Sequence, residues 1–435
     1  MVHTKKKLNI SPSRLITLGF LALILIGTAL LSLPFASADG KGIPLTDALF
    51  TSTSAVCVTG LVVFDTGTAL SVFGQTVVAV LIQLGGLGIT TFGLGIILML
   101  RKKAGIREMV LAKESFNQST LKGALGLIKT VILTSFAFEA VGALLCLPVF
   151  LKRYSAAKAV GYSFFHSIAA FNNAGFDIFG TGDSMYAYTD HVYLNIVTML
   201  LVVLGGLGFF VMRDIITNKK PRKFSLHTKV VLFMTVILTL GGALCFKLTE
   251  GEGISWLEAF FTSVSTRTAG FATKQMSTFS NAGVMIMSVL MVIGASPGSC
   301  GGGIKTTTAF VLIAHLFAYS TNSETEAFKR KIPDDAIKKA LSILMLAVTV
   351  ILAVTTLITL FEPHLPFSDV ILEVSSAFGT VGLSTGITGT LGFASKIVII
   401  CTMFVGRLGP LTIATLWINN RNTGISRAEE TIQIG

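Results

Sequence analysis

Apolar and polar residues fall in long blocks along the chain rather than alternating with the short periods of a soluble helix or strand. Apolar runs cover roughly 15–35, 72–100, 123–151, 191–216, 228–248, 283–319, 337–361 and 393–418. Each is long enough for a bilayer-crossing helix, which needs about 20 residues. Between each odd run and the even run that follows lies a shorter stretch rich in Ser, Thr, Ala and Gly: 45–61, 159–176, 255–271 and 368–383. Stretches of that length cannot cross as a helix and return. Each is predicted to be re-entrant, a half-helix followed by a loop.

Two markers recur in the same order. The first is Ala55-Val-Cys-Val-Thr-Gly60-Leu61, Ala170-Phe-Asn-Asn-Ala-Gly175-Phe176, Ser265-Thr-Arg-Thr-Ala-Gly270-Phe271 and Ala377-Phe-Gly-Thr-Val-Gly382-Leu383. The second is Gly85-Gly-Leu-Gly88, Gly205-Gly-Leu-Gly208, Gly294-Ala-Ser-Pro-Gly298 and Gly406-Arg-Leu-Gly409. From the glycine of the first marker to the last glycine of the second the gaps are 28, 33, 28 and 27 residues. The expected fold is therefore all-α and membrane-integral. It has four tandem repeats of spanning helix, pore loop and spanning helix, with pseudo-fourfold symmetry around a central pore. The repeats divide the chain at 1–100, 101–216, 217–320 and 321–435. Two crossings per repeat give all four the same orientation, which argues against an inverted-repeat transporter.

Composition agrees. Of 435 residues, 52% are hydrophobic and 13% charged, against about 25% charged in soluble domains. The basic start (Met1 to Arg14) and the run Leu15 to Leu33 carry no cleavage site, so a retained first span is expected. The five scattered cysteines read as small buried hydrophobes rather than a disulfide or metal framework. The formal net charge of +12 could suggest nucleic acid, but its placement points elsewhere. Lys5, Lys6, Lys7 and Arg14, then 101–122, 219–229 and 329–339, are basic and fall on one side of eight crossings. That side is expected to be cytoplasmic, with both termini inside the cell membrane. The acidic residues Asp39, Asp47, Asp65, Asp177, Asp183, Asp190, Glu250, Glu252, Glu258, Glu362, Asp369 and Glu373 fall on the other side. There they would either solubilise loops or concentrate cations at an outer mouth.

A monovalent cation stripped of water needs a ring of oxygens, and backbone carbonyls supply one. Close approach of four loops requires residues without a bulky Cβ. The candidate filter is Val58, Thr59 and Gly60, then Asn173, Ala174 and Gly175, then Thr268, Ala269 and Gly270, then Thr380, Val381 and Gly382. The pore half-helices would aim the negative ends of their dipoles at the cavity. Tight turns alone are the competing reading of these glycines. The sixth run is interrupted by residues 294–308, and irregular backbone at membrane depth must line a cavity or be buried in protein. A gate is expected there, built from Gly294, Gly298, Gly301, Gly302, Gly303 and Lys305, with Arg407 of the eighth run. The two cations would either form an electrostatic barrier or hold the loop through carbonyl contacts. Arg267 is expected to point away from the path, toward a carboxylate or a carbonyl. Glu139 is read first as a buried structural partner and second as an ion site.

Enzymatic and cofactor readings fail. Gly298 to Lys305 has the glycines of a phosphate-binding loop, but Ile304 separates Gly303 from Lys305. The Gly-Gly-Leu-Gly runs lie inside apolar spans. His166, His191, His227 and His364 lack metal-ligand spacing, and no nucleophile–base pair is evident. No cofactor is expected.

The four loop glycines, the glycine-rich break with Lys305 and Gly406-Arg-Leu-Gly-Pro-Leu-Thr412 together resemble the Trk/Ktr/HKT superfamily of cation transporters. Asp47-Ala-Leu-Phe-Thr51, Arg267-Thr-Ala-Gly-Phe271 and Ser376-Ala-Phe-Gly-Thr-Val-Gly-Leu383 carry the likeness, which covers nearly the whole chain. No extra pair of N-terminal spans precedes the repeats, which favours the KtrB-like branch over TrkH-like members. The resemblance implies potassium uptake, often sodium-dependent, by a homodimer in which each protomer holds its own pore. It implies a separate cytosolic nucleotide-binding RCK-type ring of the KtrA/KtrC kind; the link 101–122 and the tail 419–435 are candidates for partner or dimer contacts. Glycine in all four loops goes with potassium in that superfamily, so Gly60 favours potassium over sodium. Channel-like flux and a small-solute secondary transporter without sodium coupling remain as alternatives.

Overall fold

The computed structural model describes residues 12–88, 91, 121–180 and 184–415. The link 101–122, apart from its last two residues, and the tail 419–435, both candidate contact segments, lie outside them. Among the described residues four helices are long and apolar enough to cross a bilayer: α1 (Pro12–Leu31), α5 (Leu121–Phe150), α9 (Leu226–Glu250) and α13 (Asp334–Phe361). They are the odd spans. Leu25, Ile26, Leu133, Leu144, Leu240, Leu352 and Leu360 on them are exposed. So much aliphatic surface suits lipid and not water.

After each comes a short pore helix: α2 (Leu45–Cys57), α6 (Ala156–Phe171), α10 (Trp256–Ser265) and α14 (Phe367–Gly379). Acidic residues in the first turn (Asp47, Glu258 and Asp369) complement three of the four N-termini. At α10 Ser255 and Glu258 form a reciprocal capping box. The single turn α3 (Thr66–Ala69) leads into the first inner helix. The inner helices are α4 (Val72–Leu87), α7 (Val192–Leu207), α11 (Asn281–Val292) and α15 (Phe393–Leu408).

The even spans are not the continuous helices that the apolar runs suggest. Span four turns through 92° between α7 and α8 (Phe209–Asn218). Span six resumes as α12 (Thr306–Ser320) and span eight as α16 (Pro410–Thr415). α4, α7 and α15 each stop at the last glycine of the second marker: Gly88, Gly208 and Gly409 have φ of +79°, +89° and +87°. A left-handed residue ends an α-helix, and glycine adopts that conformation without strain. Hydropathy cannot register such a break, because one glycine hardly changes an apolar average. The loop in span six is also shorter than 294–308, since Thr306, Thr307 and Thr308 form the first turn of α12.

Packing closes the repeats into a ring. In the first, second and fourth repeats the pore helix packs on its own outer and inner helices, and in the third α10 packs on its outer helix α9. Each inner helix also packs on the next repeat's pore helix: α4 on α6, α7 on α10, α11 on α14, and α15 back on α2. Lys396 of α15 and Asp47 of α2 seal this last seam with an ion pair of 2.8 Å. A carboxylate ending the outer helix holds the start of the inner helix in the last two repeats. Glu250 accepts from Ser280 N and Oγ, and Glu362 from Gly392 N and Ser395 Oγ, both at 2.7 Å. These two acids, grouped by sequence with acids that either solubilise loops or steer cations, hold helix starts. Their shared spacing of 30 residues to the capped position was the available signal.

Candidate functional site

Each pore helix ends in a loop whose backbone conformation repeats four times. The first and third members of every candidate trio have positive φ: Val58 (57°) and Gly60 (92°), Asn173 (59°) and Gly175 (67°), Thr268 (80°) and Gly270 (79°), Thr380 (52°) and Gly382 (99°). Four non-glycine residues in the left-handed region at equivalent places are strain held by surrounding structure, of the kind found at functional sites. The holding contacts run back to the pore helices. Thr59 N, Ala174 N and Val381 N donate to the carbonyls five residues earlier, at 2.8, 2.8 and 2.9 Å, and Ala269 N to Ser265 O at 2.8 Å. Ser54 Oγ accepts from Gly60 N, and Ser376 Oγ from Gly382 N, each at 3.0 Å.

The amides point into the helices, so the carbonyls point away. The glycines show where. A Cβ on Gly60 would meet the Ala174 carbonyl, and one on Gly175 would lie 2.8 Å from the Ala269 carbonyl. One on Gly270 would meet the Val381 carbonyl, and one on Gly382 the Thr59 carbonyl. The contacts run from each loop to the next and return to the first, so the four trios ring one axis. Their non-glycine members are fully buried. Among the described residues no donor reaches any of the twelve carbonyls. Buried carbonyls normally find partners; a ring of them without protein donors is a cradle of oxygens suited to a cation.

On the glycine side the ring opens into a cavity of about 360 Å³, lined by Gly60, Gly175, Gly270 and Gly382 and by Asp65 and Asp177. On the other side lies the loop of span six. Its neck is pinned by Ile304 N donating to Val292 O at 3.0 Å. Gly302 N donates to Thr380 Oγ1 at 2.9 Å, and Gly301 packs on the Thr268 hydroxyl, so the loop lies across the axis directly beneath the trios. The broken end of span four braces it: Ser296 N and Cys300 N donate to Gly206 O and Gly205 O, and Phe209 N to Gly298 O. Gly294 and Gly303 pack against each other where the loop closes on itself.

Both half-buried cations bond to main-chain oxygens of this loop. Lys305 Nζ donates to Gly301 O at 2.6 Å and Gly302 O at 3.3 Å. Arg407 donates to Cys300 O in the loop and to Gly85 O and Gly86 O at the end of α4, the last at 3.2 Å. Of the two sequence readings, the contacts match the carbonyl one. Arg267 turns away from the axis, and its Nη1 lies 3.4 Å from Thr235 O. Glu139 accepts from Gln83 at 2.9 Å and from Asn172 at 2.9 Å, tying α5 to α4 and to the second pore loop.

The second marker has a packing role that repetition alone did not reveal. A Cβ on Gly85, Gly205 or Gly406 would strike the carbonyl of Val56, Phe171 or Phe378, each near the end of the same repeat's pore helix. These glycines let the inner helix approach the pore helix backbone to backbone. Among the described residues no group of three or more His, Cys, Asp or Glu could hold a metal ion.

Fold and site define an all-α membrane protein with four tandem pore-loop repeats around a central pore. A family model described as "TrkH: Cation transport protein" matches residues 13–424, and the chain belongs to this family of cation transport proteins. It is 37% identical over 431 residues to the Ktr system potassium uptake protein B of Bacillus subtilis, covering 97% of this chain and 96% of that one. It is 35% identical over 453 residues to the potassium/sodium uptake protein NtpJ of Enterococcus hirae, with both chains fully covered. The crystal structure of the potassium transporter TrkH from Vibrio parahaemolyticus superposes with a TM-score of 0.71 at 20% identity, over 95% of this chain and 86% of that one.

Proposed function

We propose that this chain is the ion-conducting membrane subunit of a Ktr-type potassium uptake system. The observation that carries the reading is the closed ring of buried trios whose carbonyls have no donor among the described residues. Potassium sheds its water at modest cost and is matched by such dipoles. Val58, Thr59 and Gly60 with their counterparts in the other three loops serve as the filter. Gly60 in the first loop, like glycine in the other three, favours potassium over sodium, and sodium acts as a coupling or activating ion.

The loop 294–305 serves as the gate, with Lys305 and Arg407 as latches rather than as a charge barrier. Opening requires the loop to leave Thr380, Cys300 to leave Arg407, and the bracing contacts with Gly205 and Gly206 to break. A cytosolic ring with nucleotide-binding RCK-type subunits supplies that work from the face carrying the basic links. The subunit functions as a homodimer in the cell membrane, with both termini in the cytoplasm. The names of the Bacillus subtilis and Enterococcus hirae relatives support potassium and sodium as the ions concerned.

The test is potassium uptake by a transporter-deficient cell expressing the chain, with Gly60, Gly175, Gly270 and Gly382 each changed to Ser. The expected result is rescue by the unaltered chain and a lowered potassium-over-sodium preference in the variants that reach the membrane. Selectivity indifferent to all four changes overturns the filter assignment.

A further inference from the structure

The four pore loops share a backbone but not a surrounding. Nine residues before each filter glycine, in the pore helix behind it, stand Thr51, His166, Phe261 and Glu373. All four are buried. Only the fourth is an acid, so the symmetry of the oxygen ring is broken by one carboxylate.

Glu373 is fully buried. Its two oxygens accept from Ser384 Oγ at 2.6 Å and from Thr388 Oγ1 at 2.5 Å. Both hydroxyls therefore donate to the one carboxyl group. Both donors line the cavity above the filter, and Ser384 Oγ in turn accepts from Gly386 N at 3.0 Å. One turn further along the same helix, Ser376 holds Gly382 N and Val381 N. The same pore helix thus holds Val381 and Gly382 of the fourth trio through Ser376, and the segment that follows the trio through Glu373. Among the described residues Glu373 forms no ion pair with Lys or Arg. A buried acid without a cationic side-chain partner is costly to place in a water-poor interior, and such groups mark functional positions.

We propose that Glu373 is a positioning and selectivity-determining residue for the outer end of the pore. It clamps Ser384 and Thr388 so that the fourth trio keeps its spacing, and it lends its charge to cations arriving at the ring. The inference rests on the filter reading above and adds a residue that reading does not contain.

The experiment compares Glu373→Ala, Glu373→Gln and the double variant Ser384→Ala/Thr388→Val with the unaltered chain, scoring uptake of potassium, rubidium and sodium. Glu373→Ala and the double variant are expected to lose about tenfold in potassium-over-sodium preference, equivalent to about 1.4 kcal/mol. Glu373→Gln keeps one acceptor oxygen and its shape. It is expected to retain most of the preference while raising KM for potassium severalfold with little change in maximal rate. A merely structural acid would lower the amount of folded protein and leave selectivity and KM alone. That outcome, or an unchanged preference in folded Glu373→Ala, overturns the proposal. Gly382→Ser is run in parallel. If it changes selectivity while the Glu373 variants do not, this proposal fails alone. If none of the variants does, the filter reading has failed with it.

Discussion

Arg407→Ala removes three hydrogen bonds, but only one bears on the gate proposed above. Gly85 and Gly86 belong to the end of α4 and not to the loop, so on the proposed gating their contacts with Arg407 are common to the closed and open states. The contact with Cys300 O exists only while the loop lies across the axis. An equilibrium shifts only by the free energy of contacts that differ between its states. A hydrogen bond from a charged donor contributes about 1.5–3 kcal/mol. Losing it should raise the open population by about tenfold to 150-fold, at about 1.4 kcal/mol per decade. The assay is rubidium flux into proteoliposomes holding the membrane subunit alone, where closure is not opposed by a partner. Arg407→Lys separates a latch from a charge barrier. Lysine keeps the charge but lacks the planar fork that spans two segments, so a latch predicts increased flux in both variants. Flux that rises in Arg407→Ala and stays low in Arg407→Lys would show repulsion to be the barrier. Unchanged flux in both, with protein that remains monodisperse, would refute gating through this residue.

Two further outcomes follow from the packing. Gly205→Ala sets a methyl against the Phe171 carbonyl, where backbone cannot yield easily; it should cost about 3 kcal/mol or more, read as a lowered unfolding temperature in detergent and a reduced yield. Glu362, just past α13, has its carboxyl held below the usual range by the Ser395 hydroxyl and the Gly392 amide. Because its folded-state value lies below the unfolded one, near 4.3, its contribution is present above that range and is lost as pH falls through the folded value; Glu362→Gln should remove this component from the pH dependence of thermal unfolding.

Much of this architecture could be read from residues because it repeats. Four glycines in one context mark the loops, and the structure gives those same positions the repeated positive φ. The cyclic order of the contacts could not be read in the same way, since it depends on which carbonyl each absent side chain leaves room for. The breaks in spans four and eight were hidden for a related reason: Gly208 and Gly409 act through a backbone angle, and a hydropathy average sees only a small apolar residue. The capping by Glu250 and Glu362 was not legible because counting acids by side of the membrane ignores the helix start that each one holds. The contacts of Arg407 and Lys305 required coordinates, since a buried cation implies acceptors without naming them.

The seam between α15 and α2, joined by Lys396 and Asp47, carries a consequence for biosynthesis. Residues separated by nearly the whole length of the polypeptide must meet before the circle is complete. A nascent chain with three repeats inserted has a gap on one flank, facing lipid, and no conduit. A leak during translation is thereby avoided by topology alone, and a premature stop anywhere before the last inner helix yields a protein that cannot pass ions.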